Sequence, residues 1–290
     1  MVMIRRPWFF THFALLIWIP VFLIGVFSLQ PDGVSKQVAL SAPNPILVVT
    51  TPPELSTIMY RVFDMESGAV VLSSNESKVV PIASVVKLFA GAALVSNFDL
   101  EATTTIRVSD VAAEGDAGKL VRGEEYSYQE LLFPLLLESS NDAAATLTRA
   151  TDNALVEAMN AHSALVGARA TVFTDASGFA DDTVSTASDL QLLVTHLYNL
   201  QPHIFDITVL PQYIGTHTGW VNNNPFVGEA GYRGGKHGFT DKAGRTVVAI
   251  FDEEINGRTM TLGYIILGSK NIKDDMTKLR LSVKNSATEN

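Results

Sequence analysis

The sequence predicts an α/β body of the α+β kind. One antiparallel sheet is built from both ends of the body around a helical insert, preceded by an amino-terminal transmembrane helix. Three observations predict this. β-Branched runs stand near residue 60 and again at 245–267, helical apolar spacing fills much of the interval, and residues 8–29 carry no acidic, lysine or arginine side chain.

The run at 8–29 is long enough to span a bilayer, and Arg5 and Arg6 ahead of it place residues 1–7 in the cytoplasm and the body outside. The rival is a cleaved signal peptide, whose apolar core is shorter and closed by a small-x-small site. The run ends Ser28-Leu29-Gln30-Pro31 without one, so a retained anchor is expected. Residues 30–55, with Pro31, Pro43, Pro45, Pro52 and Pro53, read as a tether. Residues 56–290 read as one domain.

Within that domain, 57–64 and 69–72 alternate as two strands around the turn Glu66-Ser67-Gly68. Helical patterns follow at 84–97, 128–138, 141–151, 153–166 and 187–200. Strands return at 245–251 and 260–267, and a helical pattern closes the chain at about 272–283. No internal repeat appears. The chain has no cysteine, which excludes disulfides and thiolate chemistry, and its net charge of −9 argues against nucleic acid as a partner.

Chemistry concentrates in the stretch from Pro81 to Val95. It is apolar nearly all round, which predicts a helix buried on every side. Only Ser84 and Lys87 interrupt it, three residues apart and so on one face of the first turn. Burial lowers an amine's pKa, and a neutral amine can take the proton of a neighbouring hydroxyl. The helix amino end favours negative charge at the same place. Taken alone, the pair also fits a capping serine with a snorkelling lysine. Two further stretches bear on the choice. An apolar helix stops at Ser139-Ser140 and an alanine-rich one restarts at Asn141-Asp142, and Gly234-Gly235-Lys236-His237-Gly238-Phe239 puts glycines where another backbone can approach closely.

In this order the three stretches resemble the signatures Ser-x-x-Lys, Ser-x-Asn and Lys-Thr-Gly of the penicillin-recognising serine enzymes. Within that group the chain is most similar to the D-alanyl-D-alanine carboxypeptidases, the low-molecular-weight penicillin-binding proteins, with their β-lactamase-like fold. Met65-Glu66-Ser67-Gly68, Gly123-Glu124-Glu125-Tyr126-Ser127 and Phe173-Thr174-Asp175-Ala176-Ser177-Gly178 extend the resemblance over about 58–284.

The resemblance implies that Ser84 is acylated by a D-Ala-D-Ala peptide and that Lys87 takes its proton. Ser139 relays a proton to the leaving amine, and Asn141 holds the substrate amide or Lys87. Lys236 supplies positive charge near the substrate carboxylate, beside His237 and Gly238. The amides of Ser84 and Phe239 form the oxyanion hole. The implied substrate is the peptidoglycan stem peptide, β-lactams are covalent inhibitors, and no cofactor or metal is called for. With the anchor at 8–29, the implied place is the bacterial membrane, catalytic domain outside.

Two departures touch recognition of a free carboxylate. His237 stands where the family has threonine or serine. No arginine follows the last core strand before Arg280, leaving Lys270 or Lys273 as weak substitutes. The expectation is weaker carboxypeptidase activity or a shift toward endopeptidase cleavage of cross-links. Two rivals remain. A β-lactamase of class A type uses a glutamate after the second motif, and Glu157, the only glutamate between Asn141 and Gly228, sits in a helical pattern instead. A catalytically inactive relative would bind peptidoglycan or penicillin without turnover. His162, His196, His203 and His217 show no metal-ligand spacing.

Overall fold

The computed structural model describes residues 52–286 apart from Ile58, Ala113, Glu114, Asp116 and Ala117. The apolar run at 8–29 and the tether up to residue 51 lie outside the described residues. Among the described residues no helix is long and apolar enough to cross a membrane.

Strand β1 (Met59–Asp64) and β2 (Val70–Ser74) form the expected first hairpin. Its turn closes where the Asp64 carboxylate accepts from the Ser67 amide and hydroxyl, and Gly68 takes a φ of 72°. The chain then forms β3 (Val80–Pro81), a 3-10 turn (Ala83–Val85), α1 (Val86–Asn97), and the short pair β4 (Thr103–Thr105) and β5 (Glu125–Ser127). Helix α2 (Tyr128–Phe133) starts at Ser127, whose hydroxyl accepts from the Glu130 amide.

The single helix expected at 128–138 is divided. Pro134 has no amide hydrogen to continue the ladder, and residues Pro134–Glu138 form a π-helical turn instead. Helices α3 (Asn141–Ala150) and α4 (Ala154–Leu165) follow. Strand β6 (Val184–Ser185) pairs with β3, and α5 (Ala187–Leu200) begins at Thr186, whose hydroxyl accepts from Asp189. Helix α6 (Pro202–Val209) was not among the expected elements. Its signal is Pro202 at the first helical position.

After the hairpin β7 (Gln212–Ile214) and β8 (Gly219–Val221) come β9 (Tyr232–Thr240), β10 (Gly244–Ile255), β11 (Arg258–Ser269) and α7 (Ile272–Ser286). The main sheet has the order β2-β1-β11-β10-β9. Its pairs are all antiparallel, and β1 meets β11 with Val62 opposite Tyr264, so the two ends of the body do share one sheet.

Alternation along β10 shows why both faces are covered. Val248 and Ile250 join the core under α1, α2 and α5, while Val247, Ala249 and Phe251 join the core under α7. Helix α7 answers with Ile272, Met276, Leu279 and Val283 on one stripe. Glu253 fixes its seat. This carboxylate is fully buried and bonded to Arg280 and to Lys284 at 2.7 Å, and Arg280 lies 3.8 Å from the centre of the Phe251 ring. Glu253→Gln keeps the volume and removes the charge that holds two cations. It is expected to lower stability by about 2 kcal/mol, read as a lower urea midpoint at unchanged slope. An unaltered midpoint would show that the cluster is inert.

Candidate active site

The site is set where β9, the edge of the sheet, meets the 3-10 turn ahead of α1. Ala83 in that turn has a φ of 49°, a left-handed conformation that an alanine adopts only when its surroundings impose it. Those surroundings are visible. A Cβ added to Gly178 would lie 2.1 Å from the Ala83 carbonyl oxygen, so only glycine allows that backbone to press so close. The Thr246 hydroxyl on β10 donates to the Ile82 carbonyl at 2.9 Å. Gly238 on β9 faces the Ser84 amide, where an added Cβ would lie 2.4 Å from the nitrogen.

Ser84 thus sits in the 3-10 turn and Lys87 in the first turn of α1. The lysine is fully buried. Its Nζ donates to Ser84 Oγ at 2.9 Å, to Asn141 Oδ1 at 2.8 Å and to the Ser177 carbonyl at 2.6 Å. Two of these partner atoms only accept, whereas a hydroxyl both donates and accepts. A neutral amine would keep its hydrogens on Asn141 and Ser177 and turn its lone pair to Ser84.

Each of the three partners is itself held. Ser140 caps α3 by accepting from the Ala143 amide, which fixes Asn141 as the first helical residue. The Ser177 loop is pinned by Asp175, whose carboxylate accepts from the Ser177 amide and hydroxyl, from the Phe179 amide at 3.1 Å and from the Thr183 hydroxyl at 2.5 Å. Asp175 and Ser177 belong to the stretch that the resemblance covered, but the contact of the Ser177 carbonyl with Lys87, and the role of Asp175 in holding it, were not foreseen. Ser139 follows the π-helical turn with a left-handed φ of 63° and is buried. That conformation lets the chain leave one helix and enter the next while presenting Ser139 to the cleft.

Along β9, Lys236 is buried and its Nζ donates to the His237 carbonyl at 2.8 Å, while Phe239 is exposed. Ser84, Ser139, Asn141, His237, Gly238 and Phe239 together line one cleft of about 200 Å³. The structure therefore brings these six expected residues to one cleft, with Lys87 beneath it on Ser84 and Asn141, whereas Lys236 is buried behind His237 and does not line the cleft. Burial, followed by the positive charges of Lys236 and Arg245, depresses the His237 imidazole to a pKa of about 3.

One residue of this cleft was missed. Arg245 lines it too, opposite Phe239 across the β9–β10 pair, with its guanidinium 5.3 Å from the centre of the Phe239 ring. The signal was present in the turn after β9. Thr240 pairs with Gly244, so the next residue on β10 returns to the level of Phe239. Lys270 and Lys273, the substitutes expected for a missing arginine, do not line the cleft, and Arg280 is bound to Glu253 beneath α7.

A serine and a buried lysine one turn apart, a serine and an asparagine from the helical layer and a glycine-bearing edge strand define the class of penicillin-recognising serine enzymes. The chain belongs to the D-alanyl-D-alanine carboxypeptidase family, peptidase S11, whose model matches residues 47–271. It is 31% identical over 229 residues, 74% of each chain, to a D-alanyl-D-alanine endopeptidase of Pseudomonas aeruginosa. Among solved structures it is similar to D-alanyl-D-alanine carboxypeptidase from Mycobacterium tuberculosis, with TM-score 0.71, 28% identity and coverage of 80% of this chain and 92% of that one. It is also similar to penicillin-binding protein D2 from Listeria monocytogenes in its cefotaxime-bound form, with TM-score 0.70, 27% identity and coverage of 81% and 99%.

Proposed function

We propose that the chain is a serine-type D-Ala-D-Ala carboxypeptidase of the bacterial envelope. Residues 8–29 hold it to the membrane, and it acts on peptidoglycan stem peptides through a Ser84 acyl-enzyme. The observation that carries this reading is the triple bonding of Lys87, in which Ser84 Oγ is the one atom of the three able to give a proton.

Ser84 Oγ attacks the D-alanyl carbonyl as its proton passes to Lys87 Nζ. The Ser84 and Phe239 amides receive the oxyanion, a contribution of roughly 3 kcal/mol per donor in comparable sites. Ser139 then passes a proton to the leaving amine, the C–N bond breaks and the ester remains. Water cleaves that ester and returns Ser84. A β-lactam enters by the same attack, but its leaving amine stays tethered to the acyl group. The cefotaxime-bound relative supports β-lactams as ligands of this chain. Glu157 is an exposed residue of α4 that does not line the cleft, which argues against the fold's glutamate-dependent β-lactamase route.

Arg245 bears on the choice between carboxypeptidase and endopeptidase. It puts a permanent cation beside His237, the very charge whose absence motivated the expected shift toward cross-links. A free terminal carboxylate therefore has a partner. An endopeptidase reading is favoured by the name of the Pseudomonas relative. The bond chemistry is the same if the leaving amine belongs to a residue with its own carboxylate.

Two measurements test the proposal. Fluorescent penicillin should form one covalent adduct per chain, mapped by peptide mass to Ser84; no adduct would leave an inactive binder. A D-Ala-D-Ala tripeptide should then be hydrolysed in preference to a cross-linked dimer, and the opposite order would establish the endopeptidase.

A further inference from the structure

Between β8 and β9 the chain carries three consecutive asparagines, Asn222-Asn223-Asn224, whose side chains reach three different elements. Asn222 donates to the Thr208 and Leu210 carbonyls, both at 2.9 Å, at the end of α6. Asn223 donates to the Glu138 carbonyl at 2.9 Å, in the peptide that enters Ser139. Asn224 donates to the Tyr232 hydroxyl at 2.8 Å and to the Gly235 carbonyl at 3.3 Å, in the peptide that enters Lys236. We infer that this run is a bracket joining the second and third motifs, and that Asn223 is the residue that positions Ser139 to protonate the leaving amine. The inference deepens the proposed function and rests on it, because it needs Ser139 to act as the proton relay.

The backbone around Ser139 shows why a positioning residue is needed. A helix ends on carbonyls that it cannot satisfy itself. At the end of the π-helical turn the Ser139 and Ser140 amides both turn back to the Pro134 carbonyl. The next two carbonyls are met from outside the helix, and Asn223 meets both. Its backbone amide donates to Leu137 at 3.0 Å and its side chain to Glu138. Glu138 is gripped a second time, because its carboxylate accepts from the Val221 amide at 3.1 Å.

The Glu138 carbonyl and the Ser139 amide lie in one rigid peptide plane, so holding the first sets the direction in which Ser139 starts. Ser139 depends on that hold. Its φ of 63° is left-handed, a conformation that a residue with a side chain keeps only where its surroundings impose it. Without the Asn223 amide group the plane can turn toward water, and the Ser139 hydroxyl moves off the leaving amine.

The other two asparagines fix the ends of the bracket. Asn222 Oδ1 accepts from the Asn224 amide and Asn224 Oδ1 from the Phe226 amide, so the run is folded by its own side chains. Thr208, whose carbonyl holds Asn222, also accepts from the Gly235 amide through its hydroxyl at 2.9 Å. Asn224 is buried, whereas Asn223 is exposed and can be replaced without opening a cavity.

The test compares two leaving groups in full-length protein. One substrate is an N-acylated peptide ending in D-Ala-D-Ala, and the other is the thioester in which thioglycolate replaces the last D-alanine. Both offer a free carboxylate. The amine must gain a proton to leave, whereas a thiolate departs without one. Asn223→Ala should lower kcat/KM for the peptide about tenfold, part of the range usual for a general acid, and that for the thioester by less than about twofold. Asn223→Asp, equal in size but without the donor, should behave the same way. Ser139→Ala should show the same selectivity with a larger loss. Added to Ser139→Ala, Asn223→Ala should have no further effect, because it acts through that residue. A thermal midpoint close to wild type confirms that the variants are folded.

Peptide and thioester slowed alike by Asn223→Ala would overturn the inference. So would a peptide rate that does not change, or a loss that persists in the Ser139→Ala background. Ser139→Ala separates the inference from the reading beneath it. If Ser139→Ala is selective and Asn223→Ala is not, the bracket falls alone. If Ser139→Ala slows both substrates alike, Ser139 is not the relay and the inference falls with that step, while penicillin labelling of Ser84 still decides whether the chain is a hydrolase.

Discussion

Lys87→Gln should slow acylation of Ser84 by penicillin about a thousandfold, within the span usual for loss of a general base. Glutamine is close in length, and its amide hydrogens can still meet Asn141 Oδ1 and the Ser177 carbonyl, which now receive bonds at 2.8 and 2.6 Å. What it lacks is a basic lone pair toward Ser84 Oγ, 2.9 Å from the lysine nitrogen. Lys87→Arg should be as poor for a different reason. Guanidinium keeps its charge and its donors but does not release a proton in this pH range. The rate is read by quenching labelled samples over time and separating them on a gel. Glutamine and arginine variants that label within tenfold of wild type would mean that another group, or water, deprotonates the serine.

The pair at the centre of that experiment was legible in the sequence because it is local. Positions three apart in successive helical turns share a face whatever the rest of the chain does, and an apolar surround of the kind from Val85 to Leu94 dictates burial. The sheet was legible for a similar reason, since β-branched runs at both ends of the body leave few ways to cover themselves. What escaped was contact across elements. The left-handed Ala83 and Ser139 depend on Gly178, Thr246 and the proline-induced π turn, none of which announces its partner in the sequence. Ser177 reaches Lys87 from ninety residues away. Arg245 lies on β10, not after the last strand where the resemblance places a carboxylate-binding cation, and it stands one strand across from Phe239. Register, not proximity in sequence, places it.

Arg245→Leu should lower kcat/KM roughly a hundredfold for a D-Ala-D-Ala peptide with a free terminal carboxylate, as expected for loss of a charged hydrogen-bond donor from a substrate ion. The same peptide as its carboxyl-terminal amide should be affected far less, because it has no charge to lose. The state of His237 decides which cation meets the carboxylate. The charges chiefly acting on it are Lys236 and Arg245, both positive, and they reinforce burial in holding the ring neutral with a pKa of about 3. Protonated imidazole is therefore not the carboxylate's partner near neutral pH, and Arg245 carries that charge instead. The same depression has a consequence for stability. The folded ring titrates near 3 against 6.5 for an ordinary histidine, so between those values the unfolded chain takes up a proton that the folded one refuses. Stability then falls as pH drops through that window, by roughly 2 kcal/mol between pH 6.5 and 5. A bound carboxylate answers these two cations and should offset part of this loss, so a peptide ending in a free acid should raise the thermal midpoint more at pH 5 than at pH 7. If Arg245→Leu leaves the preference for acid over amide intact, the cleft reads its carboxylate with Lys236 alone and Arg245 is not its partner.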